Sequence, residues 1–180
     1  MESAVIVVLL IILLIIWIMS VQRKLMAMNN NINNAMNQIG VQISSRFDAL
    51  VSLLDIAKCY AADEAEVLIS EIRAGRDMVT AQSVPDDAIK QEELISRTLG
   101  KVIRLAECYH GLKEDKGYVR YIDAIDCYEG MILTSYLIYN DSVTKFNRVV
   151  LLFPDSLAAL ALGFCERDYI KPAGGRAGTR

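Results

Sequence analysis

Proline stands at only three of 180 positions, 85, 154 and 172, and histidine at one, His110. So little proline permits long uninterrupted helices, because proline removes a backbone donor and clashes with the preceding turn. One histidine cannot supply a zinc ligand set, and Cys108-x-His110 is not a usual zinc spacing; His110 is expected in a solvated turn. The chain has no G-x-S-x-G, Gly100-Lys101 lacks the rest of a phosphate loop, and no Glu-x-x-His suggests a di-metal bundle. No catalytic, cofactor-binding or metal-binding residue is therefore expected, and no cofactor. The four cysteines, Cys59, Cys108, Cys127 and Cys165, form no CxxC pair and read as reduced core residues. Net charge is −3, and no basic stripe with interleaved aromatics exists, which excludes a nucleic-acid partner.

What the chain has in abundance is apolar residues, 53% of the total. Much of the excess lies in one run, Ser3 to Val21, which holds no charge, proline or glycine. At about 1.5 Å per residue the run spans roughly 28 Å, close to a hydrocarbon core of about 30 Å. Val5, Leu9, Leu13 and Ile16 are expected to face lipid, with Trp17 near the headgroups. A cleaved signal peptide would need a basic start, a shorter run and a small-x-small site. Met1-Glu2 and Met19-Ser20-Val21-Gln22 provide neither start nor site, so the run is expected to stay as an anchor. Arg23 and Lys24 follow the span while Glu2 precedes it, which predicts a short N-terminus outside and the rest in the cytoplasm.

Beyond the span the pattern is helical. Leu25, Asn29, Ile32, Met36, Ile39, Ile43, Arg46, Leu50, Leu53, Ala57 and Tyr60 alternate steps of four and three, the 3.5-residue seam of a coiled coil or antiparallel bundle. This predicts a first helix over about 22–60, which either bends at 61–64 or continues toward Arg76. Pro85 followed by Asp86-Asp87 marks a new start, for a helix over about 86–109 with Ile89, Leu94, Ile95, Leu99, Val102, Ile103 and Ala106 apolar. His110 to Gly117 reads as a polar turn. A last long helix is expected over about 118–152, with the seam Ile122, Ile125, Glu129, Ile132, Tyr136, Tyr139, Val143, Phe146 and Val150. Ser156 is then placed to cap a short helix, Leu157 to Leu162. The Gly-rich, basic stretch Lys171 to Arg180 is expected to be disordered.

Several short motifs occur in a particular order. Ile39-x-Val41-Gln42-Ile43 precedes Arg46-Phe47-Asp48; Tyr60-Ala61-x-x-Glu64 and Gly75-Arg76 follow; then come Glu107-x-Tyr109-x-x-Leu112-Lys113, Glu129-x-x-Ile132, Tyr139-Asn140, Val143 and Phe146-Asn147; Phe153-Pro154, Gly163-Phe164 and Tyr169 close the series. Together they resemble the LemA family of bacterial membrane proteins over nearly the whole chain. His110 stands where that family has proline, Met36 where it has tryptophan, and Tyr136 where it has arginine, the departures of a divergent member. The resemblance implies an N-terminal anchor with its short N-terminus outside the inner membrane, and an all-α, up-and-down bundle. It carries over no catalytic residue; a magnetosome-associated branch of the family is implicated in membrane invagination.

Three regions are thus expected: residues 1–22 as N-terminus and span, 23–165 as the bundle, and 166–180 as a flexible tail. Arg46 and Glu129 are each the only charge on their seams, so antiparallel first and last helices would join them as a buried pair, since an unpaired buried charge is expensive. The crowd of tyrosines 118, 121, 128, 136 and 139 reads as bundle packing, each hydroxyl at an edge. Leu152, Phe153, Leu157, Leu160 and Phe164 are expected either to meet the membrane surface, beside Lys171 and Arg176, or to pack on the bundle base or another subunit. The functional expectation is a non-enzymatic membrane scaffold that self-associates and organises or remodels bilayer. Its partners would be lipid, further copies and other membrane proteins; the alternative is a tethered adaptor that binds a partner protein through its bundle.

Overall fold

The computed structural model describes residues 1–171. It is all-α, with six helices and no strand among the described residues: α1 Glu2–Ala57, α2 Ala62–Ala74, α3 Pro85–Cys108, α4 His110–Glu114, α5 Lys116–Leu151 and α6 Asp155–Ala161.

The 56 residues of α1 run about 84 Å at the α-helical rise. Its first third stands clear of the rest, and the bundle begins at Val21 and Leu25, both buried. From there the seam faces inward: Ile32, Met36, Ile39, Ile43, Arg46, Leu50, Leu53 and Ala57 are all buried. The apolar run and the bundle are thus joined by continuous helix. α1 stops at Ala57, whose carbonyl accepts from the N–H groups of Tyr60 and Ala61 at 3.0 and 2.9 Å. The expected extension to Tyr60 fails at this turn, and Tyr60 is exposed.

α2 buries Ala65, Leu68, Ile69 and Ile72 and packs against α1 and α3. The connection from Gly75 to Val84 then crosses α1 at Gly40, with Val79 buried. α3 starts at Pro85, as the sequence pattern indicates. The Asp87 carboxylate accepts the Val84 N–H at 3.1 Å, satisfying one donor at the helix start. His110 to Glu114 forms one short helix rather than an open turn, because Leu112 within it is fully buried.

α5 opens on Asp115, whose Oδ1 accepts from Gly117 and Tyr118 N–H at 2.7 and 3.2 Å. Those two backbone donors, Tyr118 first, hold the Asp115 carboxyl below the usual carboxylate range. α5 lies along α1 for most of its length. Lys24 meets Asp155 just beyond α5 at 3.1 Å, while Arg46 meets Glu129 within it; the two helices are therefore antiparallel. Ser156 does not cap α6, whose N-cap is Pro154 without a side-chain hydrogen bond.

After α6 the chain turns back at Gly163, which has φ of 76°, a left-handed conformation that glycine adopts without penalty. The segment that follows is strapped along α5, so residues 167–170 are held where a flexible tail was expected. The Asn147 amide bonds the Arg167 backbone twice, at 2.9 and 2.8 Å. Asn140 does the same to Ile170, at 2.9 Å both ways. Tyr139 donates to the Asp168 carbonyl at 3.1 Å, and Ile170 is buried. Side-chain amides here satisfy an extended backbone that has no neighbouring strand. Most of the expected tail, including Arg176, lies outside the described residues.

Candidate functional site

Two places in the bundle carry charge or apolar surface beyond what packing requires. The first is a charged cluster at mid-height. Arg46 on α1 is 1% exposed and donates through Nη1 to Glu92 on α3 at 2.7 Å and through Nη2 to Glu129 on α5 at 2.5 Å. The structure therefore brings Arg46 and Glu129 together but joins a third member to them. Burial pushes the Glu92 carboxyl above its usual range, and the Glu129 charge adds to the rise, against the opposing pull of Arg46. Tyr136 lies alongside; burial, then the Glu92 charge, raise its phenol well above the ordinary value. Among the described residues, Arg46 Nε, Glu92 Oε1 and the Tyr136 hydroxyl have no hydrogen-bond partner. Tyr136 thus departs from the expectation that each tyrosine hydroxyl reaches an edge.

Glu92 carries a signal in the sequence that the apolar pattern of α3 alone does not show. Ala88, Glu92, Ile95, Leu99, Val102 and Ala106 alternate four and three, with all but Glu92 buried and Glu92 the one charge on that seam. The cluster pins three helices to one register. It offers no nucleophile beside a base, and no group of three or more potential metal ligands occurs among the described residues.

The second place is the end of the bundle nearest the apolar run of α1. α1 holds an 18-residue window of mean hydropathy 3.4, of which 6% is buried by the rest of the chain. It is the one helix among those described that is long and apolar enough to cross a membrane. Val5, Leu9, Leu13 and Ile16 are exposed on it, and Trp17 is half-buried against the bundle. Leu152, Phe153, Leu157 and Leu160 are exposed around the start of α6, Phe153 and Leu160 at about 80%. Phe164 belongs elsewhere: its ring packs edge-on against Phe146 with centroids 6.2 Å apart, so it closes the core instead of facing outward.

The cysteines also differ from expectation. Cys59, Cys108, Cys127 and Cys165 are free and exposed, since each falls off the buried seam of its helix or lies outside a helix. His110 is exposed in α4.

No curated protein matches the chain. The profile of the LemA family matches residues 35–177, from the buried seam of α1 through the docked strap, and on that match the chain belongs to the LemA family.

Proposed function

We propose that this chain is a single-pass membrane scaffold, with its short N-terminus outside and its bundle in the cytoplasm of a bacterial cell. In this reading it self-associates to organise or remodel the inner membrane. The observation that carries the proposal is the continuity of α1: one unbroken helix holds both the exposed apolar span and the buried seam of the bundle. Forces on the bundle are thereby transmitted to the bilayer with no flexible joint. The family is not known as one of enzymes, and the charged cluster holds helices together without an arrangement for chemistry.

Self-association has a surface to use. Met131, Leu133, Leu137 and Ile138 are exposed within two turns of α5, and Leu133 and Leu137 share a face by their four-residue spacing. Full-length protein in mild detergent is expected to form ordered assemblies visible by electron microscopy. The double variant Leu133→Glu/Leu137→Glu is expected to disperse them, at little cost to folding because exposed positions tolerate such changes. A strictly monomeric wild-type chain would overturn the proposal. The same face favours the adaptor reading if purification yields one stoichiometric partner and no assembly.

The exposed cysteines give a direct test of orientation. In intact cells a membrane-impermeant maleimide is expected to leave all four unlabelled and to label them after permeabilisation. Labelling of intact cells would place the bundle outside and reverse the proposed topology.

A further inference from the structure

The corner between α5 and α6 sits where the bundle meets the span. Lys24, three residues past Val21, pairs with Asp155 at 3.1 Å, which sets Phe153 and the start of α6 level with the end of the span. α6 packs on α1 through a face that includes the buried Ala158 and Ala159. The chain then turns away from the membrane side: Phe164 lies on Phe146, and Arg167 donates to Asn29 at 2.7 Å. No later described segment covers the corner, and its outer surface is Leu152, Phe153, Leu157 and Leu160.

Behind Phe153 lies a crevice of about 320 Å³ lined by Lys24, Met28, Lys145, Arg148, Leu152 and Asp155, among others. Three of its lining side chains are cationic and one is anionic. Asp155 is engaged by Lys24, and Lys145 bonds Asp141 one turn up at 2.6 Å. Arg148 has no carboxylate partner among the described residues. Apolar side chains directed outward beside a basic crevice, both at the end of a membrane span, match the layering of a bilayer surface.

Resting on the membrane-anchor reading above, we propose that this corner is a second membrane contact selective for anionic phospholipid. Phe153, Leu157 and Leu160 enter the boundary between headgroups and acyl chains, and Arg148 and Lys145, with Lys24, hold a lipid phosphate in the crevice. The contact fixes the bundle against the bilayer at two points, so that α1 cannot swivel freely about its span.

The single native tryptophan, Trp17, makes the test self-controlled. Full-length wild type and the variant Trp17→Phe/Phe153→Trp are reconstituted into phosphatidylcholine vesicles, with or without phosphatidylglycerol, using lipids brominated on the acyl chains. With phosphatidylglycerol present, the indole at position 153 is expected to lose about half or more of its emission, as a side chain roughly 5–10 Å into the boundary would. Adding Lys145→Glu/Arg148→Glu to that variant is expected to reverse most of the loss. If Trp17 is quenched and position 153 is not, the corner does not touch lipid and the inference fails while the anchor stands. If neither is quenched, the anchor itself is wrong. Equal quenching with and without phosphatidylglycerol, or quenching indifferent to the two charge reversals, overturns the anionic-lipid assignment. A blue-shifted but unquenched indole at 153 overturns the lipid assignment in favour of protein contact.

Discussion

Replacing Arg46 by methionine is expected to cost the bundle about 3–5 kcal/mol, the scale for removing one partner from a buried ion cluster. Methionine fills similar space, so the loss comes from electrostatics more than from a cavity. Arg46 is 1% exposed and is the cation that Glu92 and Glu129 share; without it, two carboxylates face one another with no counter-charge. Urea unfolding of full-length protein in mild detergent, followed by circular dichroism, measures the difference. The deficit should depend on pH in a defined direction. Glu92 already has a raised carboxyl in the folded chain, and removing Arg46 raises it further. A folded-state value above the unfolded one means that the native state holds its proton to higher pH. Stability from this group is therefore complete below the ordinary value of 4.5 and is lost as pH rises through the folded value. The gap between variant and wild type should narrow in acid and widen toward neutrality. Taking that difference cancels Asp115, whose lowered carboxyl acts with the opposite sign. A deficit that is small and flat with pH would mean that Arg46 is dispensable as a counter-charge.

The triad also changes what a charge swap can restore. Arg46→Glu combined with Glu129→Arg moves the cation to a site 37% exposed and leaves position 46, together with Glu92, carrying negative charge in the interior. Partial rescue at most is expected, whereas Glu92→Gln alone should stay within about 1 kcal/mol of wild type. It removes a charge that burial penalises and keeps an oxygen to accept from Arg46, a hydrogen bond worth roughly that much.

Much of the helical architecture was legible because a 3.5-residue seam is a local pattern with a global meaning: residues that repeat so must share a face, and a shared apolar face must be covered. That logic marked the buried positions of α1 and α5 and singled out Arg46 and Glu129. It does not reach Glu92 from the apolar residues of α3 alone, because a charge on a seam shows only when the seam is traced through it. The docked strap had no such pattern. Arg167 to Ile170 is polar and charged apart from its last two residues, a composition that reads as solvated; what holds it are amides of Asn140 and Asn147 on another element. Side-chain to backbone pairing across 20–30 residues leaves no periodic trace in either segment. The cysteines misled for a related reason, since residue type favours burial while position decides it: helical phase turns Cys108 and Cys127 outward, and Cys59 and Cys165 lie between or beyond helices.

Gly40 is the position where sequence and packing diverge most, and its substitution carries the second large effect. Inside a long helix, glycine should cost up to about 1 kcal/mol relative to alanine, so Gly40→Ala read from α1 alone would stabilise. The structure reverses that sign. A methyl group at Gly40 would stand 2.0 Å from the Val79 carbonyl oxygen and 2.9 Å from its carbonyl carbon, where the segment between α2 and α3 crosses the helix. The obstacle is backbone, with no flexible end to swing aside, so the whole crossing must lift. Val79, buried here, lifts with it, and the strain reaches Gln91, which ties Asp77 N–H and the Gly75 carbonyl to α3 at 3.0 and 3.1 Å. Overpacking of this kind costs about 1–3 kcal/mol and more where backbone is displaced, enough to outweigh the gain in helix propensity. Gly40→Ala is therefore expected to lower stability by about 2 kcal/mol, and Gly40→Val by more. Amide hydrogen exchange should locate the damage in residues 75–84 and the start of α3 while α5 stays protected. A neutral or stabilising Gly40→Ala would show that this crossing does not rest on α1 as tightly as the distances require. Gly100 provides the control: a methyl group there meets nothing within 4 Å, so Gly100→Ala in α3 is expected to stabilise by about 0.5–1 kcal/mol, and the opposite signs of the two substitutions isolate the contact from the propensity.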